Sequence, residues 1–290
     1  MKILVTGGNG FIARNLLEQP AEGDEMIGVN RQDLDLMNAD QVFSYLKETH
    51  FDIVIHTATY DAAPKHSTKD TRKVLENNLR MFFNLARAQD HYGKMIFFGS
   101  GAEFGRENWQ PKMKEDYFDQ HVPVDPYGYS KYLMTLCARS SRNIYNLRLF
   151  GVFGEYDDWR TRFISNACCH AAFGLPIRID QNRSMDFLYI HDLIRIIHGF
   201  IKAWPSKKDY NVCSGQSLDL KTIAERIVEM SGQDLAIHIK NPGSGMEYSG
   251  DNSALLAEMP NLRLTPFTTA LKELYGWYNT HKDSIERDQL

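Results

Sequence analysis

The 290-residue chain predicts an α/β fold, a doubly wound parallel sheet with a smaller C-terminal lobe. Three observations predict it. The chain starts on a short apolar run, Ile3-Leu4-Val5, that leads straight into Gly7, Gly8 and Gly10 and then into the helix-spaced Phe11, Ile12, Leu16 and Leu17. Further apolar runs of strand length (Met26–Asn30, Asp52–Ala58, Met95–Ser100) alternate with amphipathic stretches of helix length. From about Leu218 the pattern changes to shorter elements joined by a loop rich in Pro, Gly and Ser. Alternation of doubly buried strands with helices is the mark of a parallel sheet covered on both faces.

The first strand and its glycine turn make half of a dinucleotide-binding βαβ unit, and so a Rossmann-type sheet. Gly7 permits the tight turn and Gly10 lets the backbone approach a pyrophosphate. The helix beginning at Phe11 and Ile12 offers unpaired N–H groups and the positive end of its dipole. The spacing is T-G-x-x-G-x-x-A, with Ala13 small enough for the helix to lie close on the strand. The second strand ends at Asn30-Arg31, where an acidic residue would bond a ribose 2′-hydroxyl. Arg31 can instead pair with a 2′-phosphate, which favours NADP(H), with NAD(H) the alternative; a solvated surface arginine is the plain reading. Asp33–Leu36 follows too soon for an intervening helix, which places Asp35 and Leu36 near the adenine.

Residues 38–49 predict a helix capped by Asn38 or Asp40. Asp52–Ala58 is the next buried strand, ending in Thr57 and Ala58, small enough to approach the cofactor. His56, inside this apolar run, reads as a core histidine. Residues 70–90 read as one long amphipathic helix carrying the polar Asn78. The strand Met95–Ser100 delivers Ser100 to its C-terminal end, where open α/β sheets bind ligands. A polar loop then ends at Asp125-Pro126-Tyr127-Gly128-Tyr129-Ser130-Lys131. Tyr127 and Lys131 lie one helical turn apart and face the same way. A free phenol titrates near 10, so it needs help to act as a base at neutral pH, and the Lys131 ammonium would favour phenolate. Ser100 can hold the same substrate oxygen against Tyr127. This machinery suits hydride transfer between a nicotinamide and a carbinol or ketone.

Composition bounds the function. With 33 basic and 37 acidic residues the net charge is −4, and no Lys/Arg run points to nucleic acid or to a membrane surface. Cys137, Cys168, Cys169 and Cys213 have neither metal-ligand spacing nor a disulfide framework. A strand beginning at residue 3 leaves no room for a signal peptide, and no apolar stretch reaches membrane-spanning length. These features predict a cytoplasmic protein without a metal.

The ordered motifs resemble the extended short-chain dehydrogenase/reductases, and more narrowly the NAD-dependent epimerase/dehydratase family acting on nucleotide sugars. They are Thr6–Ala13, Asp52–Ala58, Asn78-Leu79, Ser100, Tyr127–Lys131, Asn146–Gly154, Gly174–Ile177, Asp186–Leu193 and Tyr210–Val212. The resemblance implies a cofactor domain over 1–165, to which about 183–213 return, and a mainly substrate-binding lobe over 166–290. It implies Tyr127 as acid/base, Lys131 as its electrostatic and ribose-binding partner, and Ser100 as the orienting hydroxyl. It also implies a homodimer in which segments 70–90 and 127–142 pair across a two-fold axis.

Departures narrow the reaction. Gly101 and Ala102 stand where the family's 4,6-dehydratases carry an Asp-Glu pair, and Ala102 stands where similar GDP-fucose synthases carry a cysteine. Arg160–Phe163 supplies no histidine for 3,5-epimerisation. Simple redox at a sugar carbon survives: a 4-keto(-6-deoxy)sugar-nucleotide reductase, or a C4-epimerase that recycles tightly held NAD. Gly151 replaces a frequent Asn, and Met185 replaces the usual diphosphate-binding Arg, leaving Arg162, Arg178 and Arg183 as substrate candidates beside Ser100 and Gly101. A non-catalytic NADP-binding sensor and a reductase of non-nucleotide ketones are the other readings; the Tyr127/Lys131 pair argues against the first and the C-terminal lobe against the second. Leu218 onward predicts a helix over Asp219–Met230, a strand over Leu235–Ile239, a loop over Lys240–Asp251, and helices around Ser253–Glu258 and Phe267–Tyr278. The polar tail after Thr280 is expected to fray.

Overall fold

The computed structural model describes residues 1–61 and 69–290. Its first half lays down β1 (Lys2–Thr6), α1 (Phe11–Glu18), β2 (Glu25–Val29), α2 (Ala39–Thr49), β3 (Phe51–His56), α3 (Val74–Ala86), β4 (Tyr92–Ser100), α4 (Pro126–Ser140) and β5 (Ile144–Leu149). Then follow β6 (Gly151–Phe153), α5 (Phe163–Ala172), β7 (Ile177–Asn182), β8 (Ser184–Tyr189), α6 (Ile190–Lys202) and β9 (Asp209–Val212). The chain closes with β10 (Ser217–Asp219), α7 (Leu220–Ser231), β11 (Ile237–Ser244), α8 (Ser253–Glu258) and α9 (Phe267–Thr280).

Six strands form one parallel sheet in the order β2-β1-β3-β4-β5-β9. From β1 the chain steps outward to β2 and then crosses back to β3. The strand order therefore reverses beside β1, and the C-terminal edge there is where such sheets take ligands. One face of the sheet is sealed by Leu4, Val54, Met95 and Phe97 against α2, α3 and α4. On the other face Ile3, Val5, Ile55 and Leu147 join α1, α6 and residues of the lobe, Ile223, Leu274 and Tyr278 among them, in one core. Two small sheets, β10-β8-β6 and β11-β7, complete the described fold.

Local chemistry sets the element ends. Asn38 caps α2 by accepting from Gln41 N, and Asp125 caps α4 by accepting from Gly128 N, with Pro126 in the first turn. Asp219 caps α7, which closes on Gly232 at φ +65°.

Four expectations need correction. Residues 70–90 are not one helix: a 3-10 turn over Thr71–Lys73, started by the Asp70 carboxylate accepting from Arg72 N, precedes α3, and a second turn follows it. Of the returning segment 183–213, α6 packs on the large sheet and β9 joins it, but β8 belongs to the small sheet with β6 and β10. The expected loop Lys240–Asp251 is strand as far as Ser244, because β11 pairs on one side only and Pro242 can sit in an edge strand without losing a ladder bond. The tail does not fray: Ile285 is buried in the main core, and Arg160 reaches Glu286 and Gln289.

Candidate active site

The glycine turn builds the first wall. Gly7 takes φ +69°, and a Cβ there would meet Ala58 Cα at 2.9 Å, so the turn lies directly against the end of β3. Thr57 Oγ1 donates to Thr6 O (2.5 Å) and Ala58 N donates to Thr6 Oγ1 (3.3 Å), which locks the two strand ends together. Gly10 is the N-cap of α1 and supplies no capping side chain. The helix start therefore keeps unfilled donors at the ligand edge of the sheet, which fits the pyrophosphate of a dinucleotide. Phe11 and Ile12, in the first turn, pack their side chains against the core and present backbone.

A cleft of about 730 Å³ extends from Gly7 past Asn30, Arg31, Asp35, Leu36 and Ala58 to Lys73 and Asn77. Its lining is aliphatic at Leu34, Leu36 and Met81 and carries both basic (Arg31, Lys73) and acidic (Asp35, Glu76) side chains. Arg31 is largely exposed and lies 3.8 Å from the Asp35 carboxylate. Asn78 is buried; its Oδ1 accepts from Tyr60 N (2.7 Å) and Thr59 Oγ1 (3.3 Å) and its Nδ2 donates to Tyr60 O (3.1 Å), so it shapes the loop after β3.

The catalytic candidates meet where β4 ends. Lys131, buried on α4, donates from Nζ to Phe98 O (2.9 Å) and lies 5.7 Å from the Tyr127 ring centre. The Ser100 hydroxyl accepts from Ala102 N (3.2 Å), and it acts on the phenols of both Tyr127 and Tyr248, lowering the pKa of each. Burial and the Asp61 carboxylate push the Tyr127 phenol up to about 12, against the opposing pull of Arg162, Ser100 and Arg106. Burial is the largest influence on the phenol, and Lys131 is itself pushed down to about 8 by burial. His56 is a buried core residue, its Nδ1 2.9 Å from Thr6 Oγ1, held neutral by burial and by Lys131 with a pKa of about 3.

Of the substrate candidates, Ser100 and the buried Gly101 lie at this cluster, and Arg162 acts on Tyr127 while pairing with Asp61 at 3.1 Å. Arg178 projects outward from β7 between the buried Ile177 and Ile179, and Arg183 packs against Gly245. Two contributors escaped the sequence reading. Tyr248 stacks on Trp109 (ring centres 4.1 Å apart) and closes over Gly101, where a Cβ would meet its ring at 2.6 Å. Arg106 pairs with the α4 cap, Asp125, at 3.3 Å. Both sit in segments without periodicity, so no spacing betrays them. Among the described residues no group of three or more His, Cys, Asp or Glu could hold a metal ion, and no helix is long and apolar enough to cross a membrane.

The family model "NAD dependent epimerase/dehydratase family" matches residues 3–213, more than half of the chain. The chain belongs to that family. Among curated relatives it is 27% identical to GDP-6-deoxy-D-talose 4-dehydrogenase of Aggregatibacter actinomycetemcomitans, covering 95% of this chain and 97% of the relative. It is 24% identical to UDP-glucose 4-epimerase of Lacticaseibacillus casei, covering 98% and 93%. The fold matches the crystal structure of a GDP-L-fucose synthetase from Naegleria fowleri bound to NADP, with a TM-score of 0.85 at 18% identity over 98% of this chain and 94% of that one. The protein is thus an NAD(P)-dependent, nucleotide-sugar-modifying enzyme of the extended short-chain type.

Proposed function

We propose that the protein reduces the 4-keto group of a nucleotide-linked sugar, with NADPH as the favoured donor. The observation that carries this reading is the meeting of Ser100, Tyr127 and Lys131 at the C-terminal end of β4, with Lys131 Nζ 5.7 Å from the Tyr127 ring centre. Burial and the Asp61 carboxylate push the Tyr127 phenol up, which favours the protonated form that ketone reduction consumes. When bound, the nicotinamide cofactor supplies the hydride. Ser100 and Tyr127 hold the carbonyl oxygen, Tyr127 gives that oxygen its proton, and the Lys131 ammonium stabilises the phenolate left behind. Gly101 and Ala102 place no side chain that could exchange a proton at a neighbouring carbon, which disfavours dehydration and 3,5-epimerisation.

NADPH is favoured because Arg31 stands at the rim of the adenosine cleft and no acidic residue ends β2. A GDP-linked substrate is suggested by the names of the talose dehydrogenase and fucose synthetase. A second reading rests on Asp35, whose carboxylate lines the same cleft and could take a ribose hydroxyl, as a C4-epimerase with NAD would need.

The deciding experiment titrates purified protein with NADPH, NADH, NADP⁺ and NAD⁺, then follows NADPH oxidation with a GDP-linked 4-keto-6-deoxyhexose. NADPH preference with turnover supports the reductase. Tight NAD⁺ with interconversion of C4 epimers and no net oxidation of NADPH overturns it in favour of the epimerase, and binding of none of the four overturns both.

A further inference from the structure

A buried charge network, which reaches solvent through Arg139 on Asp209, lies beneath the catalytic turn, and the reaction does not use it. Glu103 has no exposed surface, yet its carboxylate accepts from Ser100 N (2.8 Å), Thr135 Oγ1 (2.9 Å), Asn146 Nδ2 (3.3 Å to each oxygen) and Arg148 Nε (2.9 Å). Arg148, equally buried, passes on to Asp209 (2.9 Å) and Asn211 (3.0 Å). Space is reserved for this carboxylate: a Cβ on Gly99 would stand 2.0 Å from Glu103 Oε1 and 2.4 Å from Asn146 Oδ1. A buried ion with every lone pair engaged costs desolvation that an apolar side chain would avoid, so its contribution to stability alone does not explain it.

Its contacts point at the active site instead. Ser100 and Glu103 form a reciprocal capping box, which sets the peptide from which the Ser100 hydroxyl projects. Thr135 sits one turn beyond Lys131 on α4, and the Lys131 ammonium is anchored on Phe98 O, two residues before Ser100. The carboxylate therefore stands against Gly99, the residue after the carbonyl that holds the Lys131 ammonium, and bonds both the Ser100 peptide and the helix that carries Lys131. We propose that Glu103 is a positioning residue, which orients Ser100 through its backbone and supplies the counter-charge that keeps the buried Lys131 an ammonium.

The groups that bear on Lys131 are few. Glu103, from the turn after β4, and Asp61, from the loop after β3, both favour the ammonium, while burial opposes it and holds its pKa near 8. His56 on β3 stays neutral, and Tyr127 on α4 itself stays protonated through the same range. Removal of the Glu103 charge must move Lys131 further down.

The inference rests on the reading that Lys131 grips the cofactor beside Tyr127, and the test separates the two. NADPH affinity is measured by fluorescence from pH 6 to 9.5 for the wild type, Lys131→Met, Glu103→Gln and Thr135→Val, with thermal melts of each. Wild-type affinity is expected to fall as pH rises through about 8. Glu103→Gln is expected to lose affinity from a lower pH, binding roughly threefold or more weaker than wild type at pH 7.5–8, as for a weakened charge-assisted hydrogen bond. Thr135→Val removes one bond to the same carboxylate and keeps its charge, so it melts lower and retains the wild-type midpoint. An unchanged midpoint in Glu103→Gln, or an equal shift in Thr135→Val, overturns the proposal. Wild-type affinity and midpoint in Lys131→Met overturn the reading of the site beneath it. If Glu103→Gln fails to fold, Glu103→Asp withdraws the charge by one methylene and must shift the midpoint in the same direction; no shift overturns the proposal.

Discussion

At the residue scale the chemistry turns on one phenol and one guanidinium. Tyr127→Phe removes the proton donor and leaves its packing, so kcat is expected to fall about 10²–10⁴-fold with little change in melting temperature; steady-state kinetics and a thermal melt check it together. Arg31→Ala is expected to weaken NADPH binding about 10–100-fold, the loss of a charge-assisted phosphate contact, while NADH binding changes little. Equal losses for both cofactors would place Arg31 in some other role. Ser100, Tyr127 and Lys131 could be read in advance because a strand end and a one-turn helical spacing place them without tertiary knowledge. Tyr248 and Arg106 could not: each reaches the cluster from a segment lacking strand or helix periodicity, through packing on Trp109. The weight of burial at Tyr127 was illegible for a related reason. Burial is a property of the whole fold, and here it outweighs the neighbouring cations.

At the scale of elements, the device that matters is the join between β1 and α1. Its geometry needs glycine at Gly7 twice over, for the left-handed φ of +69° and for the approach of Ala58. Gly7→Ala is expected to cost at least about 1–2 kcal/mol from backbone conformation alone. It should also weaken binding of every nicotinamide cofactor alike, because the turn and the α1 N-terminus shift together; calorimetric titration with NADPH and NADH reads this directly. The turn was legible since glycines after a terminal buried strand have few other uses. The helix predicted over 70–90 was misread because apolar spacing carried through both ends, while the Asp70 side chain captured Arg72 N and set a 3-10 turn that spacing cannot reveal. At the other side of the sheet, Lys94 donates to Phe200 O (2.7 Å) and Ala203 O (2.6 Å) and so closes α6, a lysine cap with no local sequence signal.

At the scale of the whole molecule, lobe and sheet share one core, and the C-terminal tail takes part in it. Ile3 and Val5 of the first strand belong to the same buried cluster as Leu274 and Tyr278 of α9, and Ile285 is 7% exposed within it. The tail read as frayed because Lys282, Asp283, Glu286, Arg287 and Asp288 make its composition polar, and composition does not show that one isoleucine in such a run is buried. Two forces could hold the tail: apolar burial of Ile285, and the contacts of Arg160 with Glu286 and Gln289. Magnitudes decide between them. Glu286 keeps 58% of its side-chain surface in water, and pairs of this kind contribute about 0–1 kcal/mol. A buried isoleucine cut to alanine costs about 2–4 kcal/mol. Ile285→Ala is therefore expected to lower the urea midpoint of the whole protein in a single transition, whereas Arg160→Ala leaves it nearly unchanged. Unfolding in two steps, with the Tyr127 cluster surviving the first, would show that the tail secures the lobe alone and that the shared core divides under denaturant.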